Sequence, residues 1–253
     1  MQLWAAMHKS DRQLKIEIRP RPMTVDTTFN VYSDARGGDP DSTSPTLRSY
    51  HKMLWSKTLP NGKKFELNYE NGFYLYHNSE IGEFILGSDA ITHSYKNHKR
   101  KHWLTKQITN EVDELFDTGS TIGAYTVFPN NRVDGKHTIN QARGINSLID
   151  DRFDLTLECI RLFYLGEGNP LYDTLLRYKN FFDLFKSFTG YIKFFLLDDL
   201  VGENQNIKFY LPFDDFKTKP TFSDIDEYLI YKKGVMDFIK SRNERIEIYT
   251  ASL

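Results

Sequence analysis

Cysteine is nearly missing: Cys159 is the only one in 253 residues. A lone thiol excludes an intrachain disulfide framework and a structural zinc site built from several thiolates. An excess of one charge is missing too, with 33 Lys and Arg against 34 Asp and Glu. That balance excludes a generally basic nucleic-acid footprint and leaves room for a local basic patch. Apolar runs are short. None nears the roughly 18 consecutive apolar residues of a membrane-spanning helix. The opening MQLWAAMHKSDRQLKIEIRP lacks the sustained apolar stretch of a secretory signal. A cytoplasmic protein without a membrane segment is therefore expected. The phosphate-loop GxxxxGK[ST], the dinucleotide-binding GxGxxG and the nucleophile-elbow GxSxG are all lacking. Internal repeats and low-complexity segments are lacking as well.

Aromatic residues, in contrast, are plentiful, with 19 Phe and 15 Tyr. Disordered chains are poor in aromatics, so a packed core is expected. Residues 1–23 have a peripheral character, with Arg-Pro-Arg-Pro at 19–22 favouring extended backbone. TVDTTFNVYS (24–33) has strand character. Ser44-Pro45 signals a helix start, with the serine as cap and the proline in the first turn. FELNYENGFYLYH (65–77) predicts a hairpin turning at Asn71-Gly72, and EFILGSD (83–89) a further strand. A helix is expected over 105–119 and a buried strand over 120–129. The region from Thr138 to Gly166 is expected to be helical and to divide at Gly144, with Asp154, Glu158 and Arg161 on its polar side. Another helix is expected over 171–189. YIKFFLLDDLV (191–201) and NIKFYLPF (206–213) read as core strands, and a C-terminal helix begins with Ser223 as its cap. The fold class is α+β, with N-terminal strands or a hairpin and a predominantly helical second half. Residues 24–249 are expected to form one globular domain, with 119 as the dividing point should it comprise two subdomains, followed by a tail over 250–253.

Three segments carry the side chains of chemistry. The first, 32–57, sets Asp34, Arg36, Asp39 and Asp41 ahead of a capped helix bearing Arg48, His51 and Lys52. A helix start and arginine suit phosphate, whereas clustered aspartates suit a divalent cation. The alternative is a loop held by caps and Asx turns. The second segment, 132–161, supplies Arg132, Arg143, Arg152, Asp154, Glu158 and Arg161. Its arginines could bind phosphate and its carboxylates transfer protons. Alternatively they form an internal ion-pair network. The third, 77–103, contains His77, Tyr95, His98, His102 and Trp103 among lysines and arginines. It suits single-stranded nucleic acid or, more plainly, a solvated charged face. Seven histidines leave a mixed His and carboxylate metal site open. Cys159 has apolar helical neighbours and is expected to be a buried structural thiol.

The stretches YSDARGGDPDSTSPTLRSYHKMLWSKTLPNG, TINQARG with DRFDLTLECIR, and GYIKFFLLDDLV with KFYLPFDDF cover much of Tyr32–Leu67 and Thr121–Phe216. Together they resemble an uncharacterised family of bacterial proteins, some in prophage-like settings. That resemblance implies a bacterial or phage-associated origin and no particular activity.

Three functions follow as expectations. The first is an enzyme acting on a nucleotide or another phosphorylated substrate. Arg48, Arg132, Arg143 and Arg152 would bind phosphate, and His51, Glu158 and Asp154 would form the catalytic set. One version is ADP-ribosyl transfer through His77, Tyr95 and Glu158. The second is a non-catalytic module binding nucleic acid or protein through 93–103. The third is a homo-oligomeric structural protein with an aromatic interface. In the ADP-ribosyl version His77, Tyr95 and Glu158 would hold a nicotinamide dinucleotide; otherwise the cofactor is unknown.

Overall fold

The computed structural model describes residues 24–253 apart from 71–73 and 97–98. The N-terminal segment, the Asn71-Gly72 turn and His98 lie outside the described residues.

The chain enters through turns rather than the expected strand over 24–33. Asp26 accepts from the Thr28 backbone N–H, and Asn30 accepts from that of Tyr32. Such local bonds draw the backbone away from a ladder. Two proline-led helices follow, α1 (Pro40–Thr43) capped by Asp39 and α2 (Pro45–Trp55) capped by Ser44. The Asp39-Pro40 pair repeats the grammar of Ser44-Pro45. Asp34 reinforces the second cap by accepting from the Ser44 hydroxyl and from Thr46 N–H.

A two-stranded ribbon of β1 (Lys57–Thr58) and β2 (Lys64–Phe65) leads into a four-stranded antiparallel sheet. Its order is β3 (Asn68–Glu70), β4 (Tyr74–Ser79), β5 (Gly82–Ala90) and β6 (Tyr125–Pro129). Between β5 and β6 lie α3 (His102–Thr105) and α4 (Thr109–Thr118). Side chains alternate along β5. Ser88 therefore meets α2 through His51, and Asp89 meets the opposite layer through Arg143.

The second half is helical. It comprises α5 (Ile139–Ile145), α6 (Phe153–Leu165), α7 (Tyr172–Arg177), α8 (Lys179–Asp183), α9 (Phe188–Phe195) and α10 (Ile225–Ala251). The α+β class is thus the observed one. Gly144 lies inside α5. The break falls at 146–152, where Asp150 and Asp151 adopt left-handed backbone. Asp154 is fully buried, so it does not share a solvent-facing side with Arg161.

Two expected core strands are not formed. YIKFFLLDDLV begins inside α9, where Ser187 caps the helix by accepting from Gly190 N–H. Phe188, Tyr191, Ile192 and Phe195 are buried at helical spacing. Gly190 is required there, since a Cβ would stand 2.0 Å from the Phe185 carbonyl oxygen. NIKFYLPF makes a single bridge, Val201 to Ile207. Its backbone is bound by side chains instead: Tyr210 N–H donates to Asp154, and the Leu211 carbonyl accepts from Arg152. The final helix starts one residue later than expected. Asp224 accepts from Glu227 N–H while the Glu227 carboxylate accepts from Ser223, a reciprocal cap.

One hydrophobic cluster extends from Val25 to Ile246. Its densest part is aromatic, with Phe181, Phe185, Tyr191, Phe194, Phe195 and Trp55 in edge and tilted contacts. Through it runs α10, whose Arg242 is fully buried. Arg242 donates to the carbonyls of Gly123, Tyr125 and Phe195 and lies over the Trp55 ring. Gly123 allows that approach, because a Cβ there would meet Asn243 Oδ1 at 2.4 Å. Among the described residues, no helix is long and apolar enough to cross a membrane.

Methionine at 242 would retain much of the stem and none of the donors. Three buried carbonyls would lose a charged partner, so Arg242→Met is expected to cost about 3 kcal/mol or more in urea unfolding. A cost below about 1 kcal/mol would show that those carbonyls find other donors.

Candidate functional site

The 32–57 and 132–161 segments meet through β5. Asp41 Oδ1 accepts from Ser88 N–H at 2.7 Å, and Arg143 Nη1 donates to Asp89 Oδ1 at 3.2 Å. Asp41 reaches this position because Asp39 starts α1 and Gly87 has no side chain. A Cβ on Gly87 would stand 3.0 Å from Asp41 Oδ2. Burial raises the Asp41 pKa to about 6, against the opposing pull of the Ser88 N–H. Burial also raises Asp89 to about 7, with Arg143 opposing and the Asp151 and Asp41 charges assisting. Asp89 Oδ2 and Thr126 Oγ1 are both buried without a hydrogen-bond partner among the described residues, and the two residues are paired across β5 and β6.

His51 is sealed in the core. Its Nδ1 accepts from the Trp55 indole N–H at 2.9 Å, and its Nε2 lies 2.9 Å from Ser88 Oγ. Indole nitrogen only donates, so the neutral ring carries its proton on Nε2 and donates it to Ser88. Ser88 and His51 therefore resemble a nucleophile pair in distance but have the wrong tautomer for proton abstraction. Burial, assisted by the Arg242 charge, lowers the His51 pKa to about 3.

The expected phosphate binders are placed differently from one another. Arg143 is fully buried and donates to Thr156, Asp89, Ala90 O and Asp151 O. Arg152 forms a two-pronged pair with Asp154 and donates to the Pro220 and Leu211 carbonyls. Arg48 is half-buried and donates to Ser42 O, while Arg132 is exposed on the loop after β6. Glu158 is buried against Arg161, accepting from both Nε and Nη2 at 2.7 Å. His77 and Tyr95 lie apart in the packing: His77 bonds Glu66 O and Ser79 against Phe65, whereas Tyr95 packs on Phe222. Cys159 is buried, and burial pushes its thiol pKa upward. Among the described residues, no group of three or more His, Cys, Asp or Glu is placed to hold a metal ion.

Clefts lined by described residues open on the helical half. A small one of about 140 Å³ lies beside Arg152 and is lined by Phe213, Phe216 and Lys219. The larger, about 490 Å³, lies between the loop before α5 and the start of α7. Lys136, His137 and Arg177 line it with Ile145, Asn146 and Leu171. No carboxylate is among the described residues lining it. The Thr138–Gln141 capping box holds the loop, and Arg177 Nη2 donates to His137 O at 2.9 Å across 40 residues of chain. Arg177 Nε is buried without a partner among the described residues. Lys136 and His137 are four and five positions from Arg132, so that wall is signalled by the expected site. Arg177 has no comparable signal.

A family model described as a family of unknown function (DUF6994) matches residues 25–246. No curated protein and no solved structure matches the chain.

The pH dependence of stability follows from two opposed groups. His51 falls from 6.5 unfolded to about 3 folded, so its contribution is present above 6.5 and is lost as pH falls toward 3. Asp89 rises from 3.8 to about 7, so its contribution is present below 3.8 and is lost as pH rises through 7. Asp89→Asn removes only the second. Its stability is expected to rise more steeply with pH than the wild type's between about pH 4 and 7. Parallel curves in urea titrations would refute the assignment.

Proposed function

The chain belongs to the DUF6994 family, which carries no assigned activity, and we propose from its own geometry that it binds a phosphate-bearing small molecule. The observation that carries this reading is the larger cleft, where Lys136, His137 and Arg177 converge without a carboxylate among the described lining residues. A volume near 490 Å³ suits a nucleotide-sized ligand, within the roughly 300–1,000 Å³ of small-molecule sites. Ile145, Ala142 and Leu171 supply the apolar wall on which a base or other flat group would lie. Arg177 is held rigid by the Asp173 and His137 carbonyls, so little side-chain freedom is lost on binding. His137 is the lining residue suited to proton transfer. Arg132, one of the expected phosphate binders, is exposed four residues before Lys136. We place the protein in the cytoplasm on its single buried cysteine; a bacterial or prophage setting rests on the motif resemblance alone.

Titration of the full chain with ADP by calorimetry tests this reading. Binding is expected to weaken with salt and to fall about tenfold or more in Lys136→Glu, which reverses one charge at the cleft. No heat from ADP, or equal affinity in the variant, would overturn the proposal.

A second reading follows from Trp103, which is 51 % exposed beside exposed His102 and Lys106. An exposed indole among bases is suited to stacking a nucleobase of single-stranded nucleic acid. Trp103→Ala is expected to weaken binding of a labelled oligothymidine about tenfold. Unchanged binding, or none in the wild type, would remove this reading.

A further inference from the structure

The smaller cleft, of about 140 Å³, lies between the start of α6 and the segment 211–221. Leu148, Leu155, Leu211, Phe213 and Phe216 give it apolar walls. The rings are fixed by one another. Phe209 stacks on Phe213 at 4.3 Å, and Phe216 meets Phe213 edge-on at 4.8 Å. The turn that delivers Phe216 is strained. Asp215 and Phe216 are consecutive, and both have left-handed backbone with φ of 58°. Such a conformation is costly for an aromatic residue and persists only where its surroundings enforce it. Asp214 enforces it here, accepting from Lys217 N–H and from the Thr218 hydroxyl.

Arg152 is the fully buried charge among the lining residues, at 2 % exposure. Its guanidinium has five N–H groups to place. Nε and Nη2 bond the two oxygens of Asp154, Nη2 also reaches Leu211 O, and Nη1 donates to Pro220 O. Among the described bonds, the second N–H of Nη1 is left over. Leu211 and Pro220 both line the cleft, so the guanidinium is fixed at its wall. Asp154 balances the charge of Arg152 without using that donor. The other charges sort by their commitments. Asp214 uses both oxygens within its own turn, and Glu227 holds Ser223 through Oε2. Lys219 is exposed at the cleft and has no ion-pair partner among the described residues. Lys101 adds positive charge beside the cleft, donating to Thr221 Oγ1 at 3.1 Å.

We propose that this cleft binds a small aromatic carboxylate. Its single ring lies against Phe213 and Phe216. One carboxylate oxygen accepts the spare Nη1–H of Arg152, and the other faces the Lys219 ammonium. The size agrees, since an apolar cavity of roughly 150 Å³ takes up benzene. Bonds from ionised donors to a carboxylate are stronger than neutral ones. Arg152 is already held by Asp154 and two carbonyls, so little of its freedom is lost on binding. A neutral ring of the same shape gains the walls without those bonds, which gives the cleft its selectivity. It shares no lining residue with the Lys136–Arg177 cleft, so either reading can fail alone.

The test is a saturation-transfer NMR titration of the full chain with benzoate, and with benzyl alcohol as a neutral ring of similar size. Benzoate is expected to bind about tenfold or more tightly than benzyl alcohol. Lys219 is exposed, so Lys219→Glu changes charge without disturbing the core. That variant is expected to weaken benzoate about tenfold and to leave benzyl alcohol unchanged. Lys136→Glu, in the other cleft, is expected to leave benzoate unchanged. The proposal is overturned by no benzoate binding at millimolar concentration, or by equal affinity for the two ligands. Benzoate affinity unchanged in Lys219→Glu, or lost in Lys136→Glu, overturns it as well.

Discussion

Arg242 is the interaction on which the rest of the packing depends. A guanidinium is costly to bury, and among the described residues no carboxylate is paired with it. Three backbone carbonyls and an indole face take that role, joining α10 to the start of β6, the end of α9 and the end of α2. Its charge then acts outward. The same cation adds to burial in holding His51 neutral. Burial lowers Arg242 itself to about 10, still charged near neutrality.

The other buried arginines follow a different rule. Arg143 faces Asp89 and Asp151, and Arg152 faces Asp154. Arg152 bonds both oxygens of Asp154, whereas Asp89 keeps Oδ2 without a hydrogen-bond partner among the described residues, and the two pairs together fix the contacts between α5, α6 and the sheet. Breaking such a pair leaves a buried charge alone, which makes it a strong determinant of geometry even when its net contribution to stability is small. The cationic groups of the larger cleft differ in having no ion-pair partner among the described residues. Arg177 meets carbonyls and a hydroxyl, and Lys136 is exposed.

Much of the fold was legible where local chemistry and burial agree. Ser44-Pro45 starts α2, alternating apolar residues form β5, and the helical second half is present. Legibility failed where side chains replaced backbone partners. TVDTTFNVYS has strand composition, yet Asp26 and Asn30 turn it locally. KFYLPF has the composition of a core strand, yet Arg152 and Asp154, distant in sequence, bind its backbone. The run through Phe194 and Phe195 is apolar enough for either element, and the cap at Ser187 with the spacing of buried rings decides for helix. At the candidate site, residue type was visible and destination was not. Nothing local distinguishes Arg143, inside the molecule, from Arg132 on its surface, and Arg177 joins the cleft only through tertiary packing.

The Arg152–Asp154 pair has one further consequence. A strand inside a sheet is secured by a ladder of equal bonds and opens gradually from its end. The segment around Tyr210 to Pro220 is secured by one ion pair at a few backbone points. Its release is consequently closer to all-or-none. Loss of that pair would free all of those points together, whereas each ladder bond lost frees one.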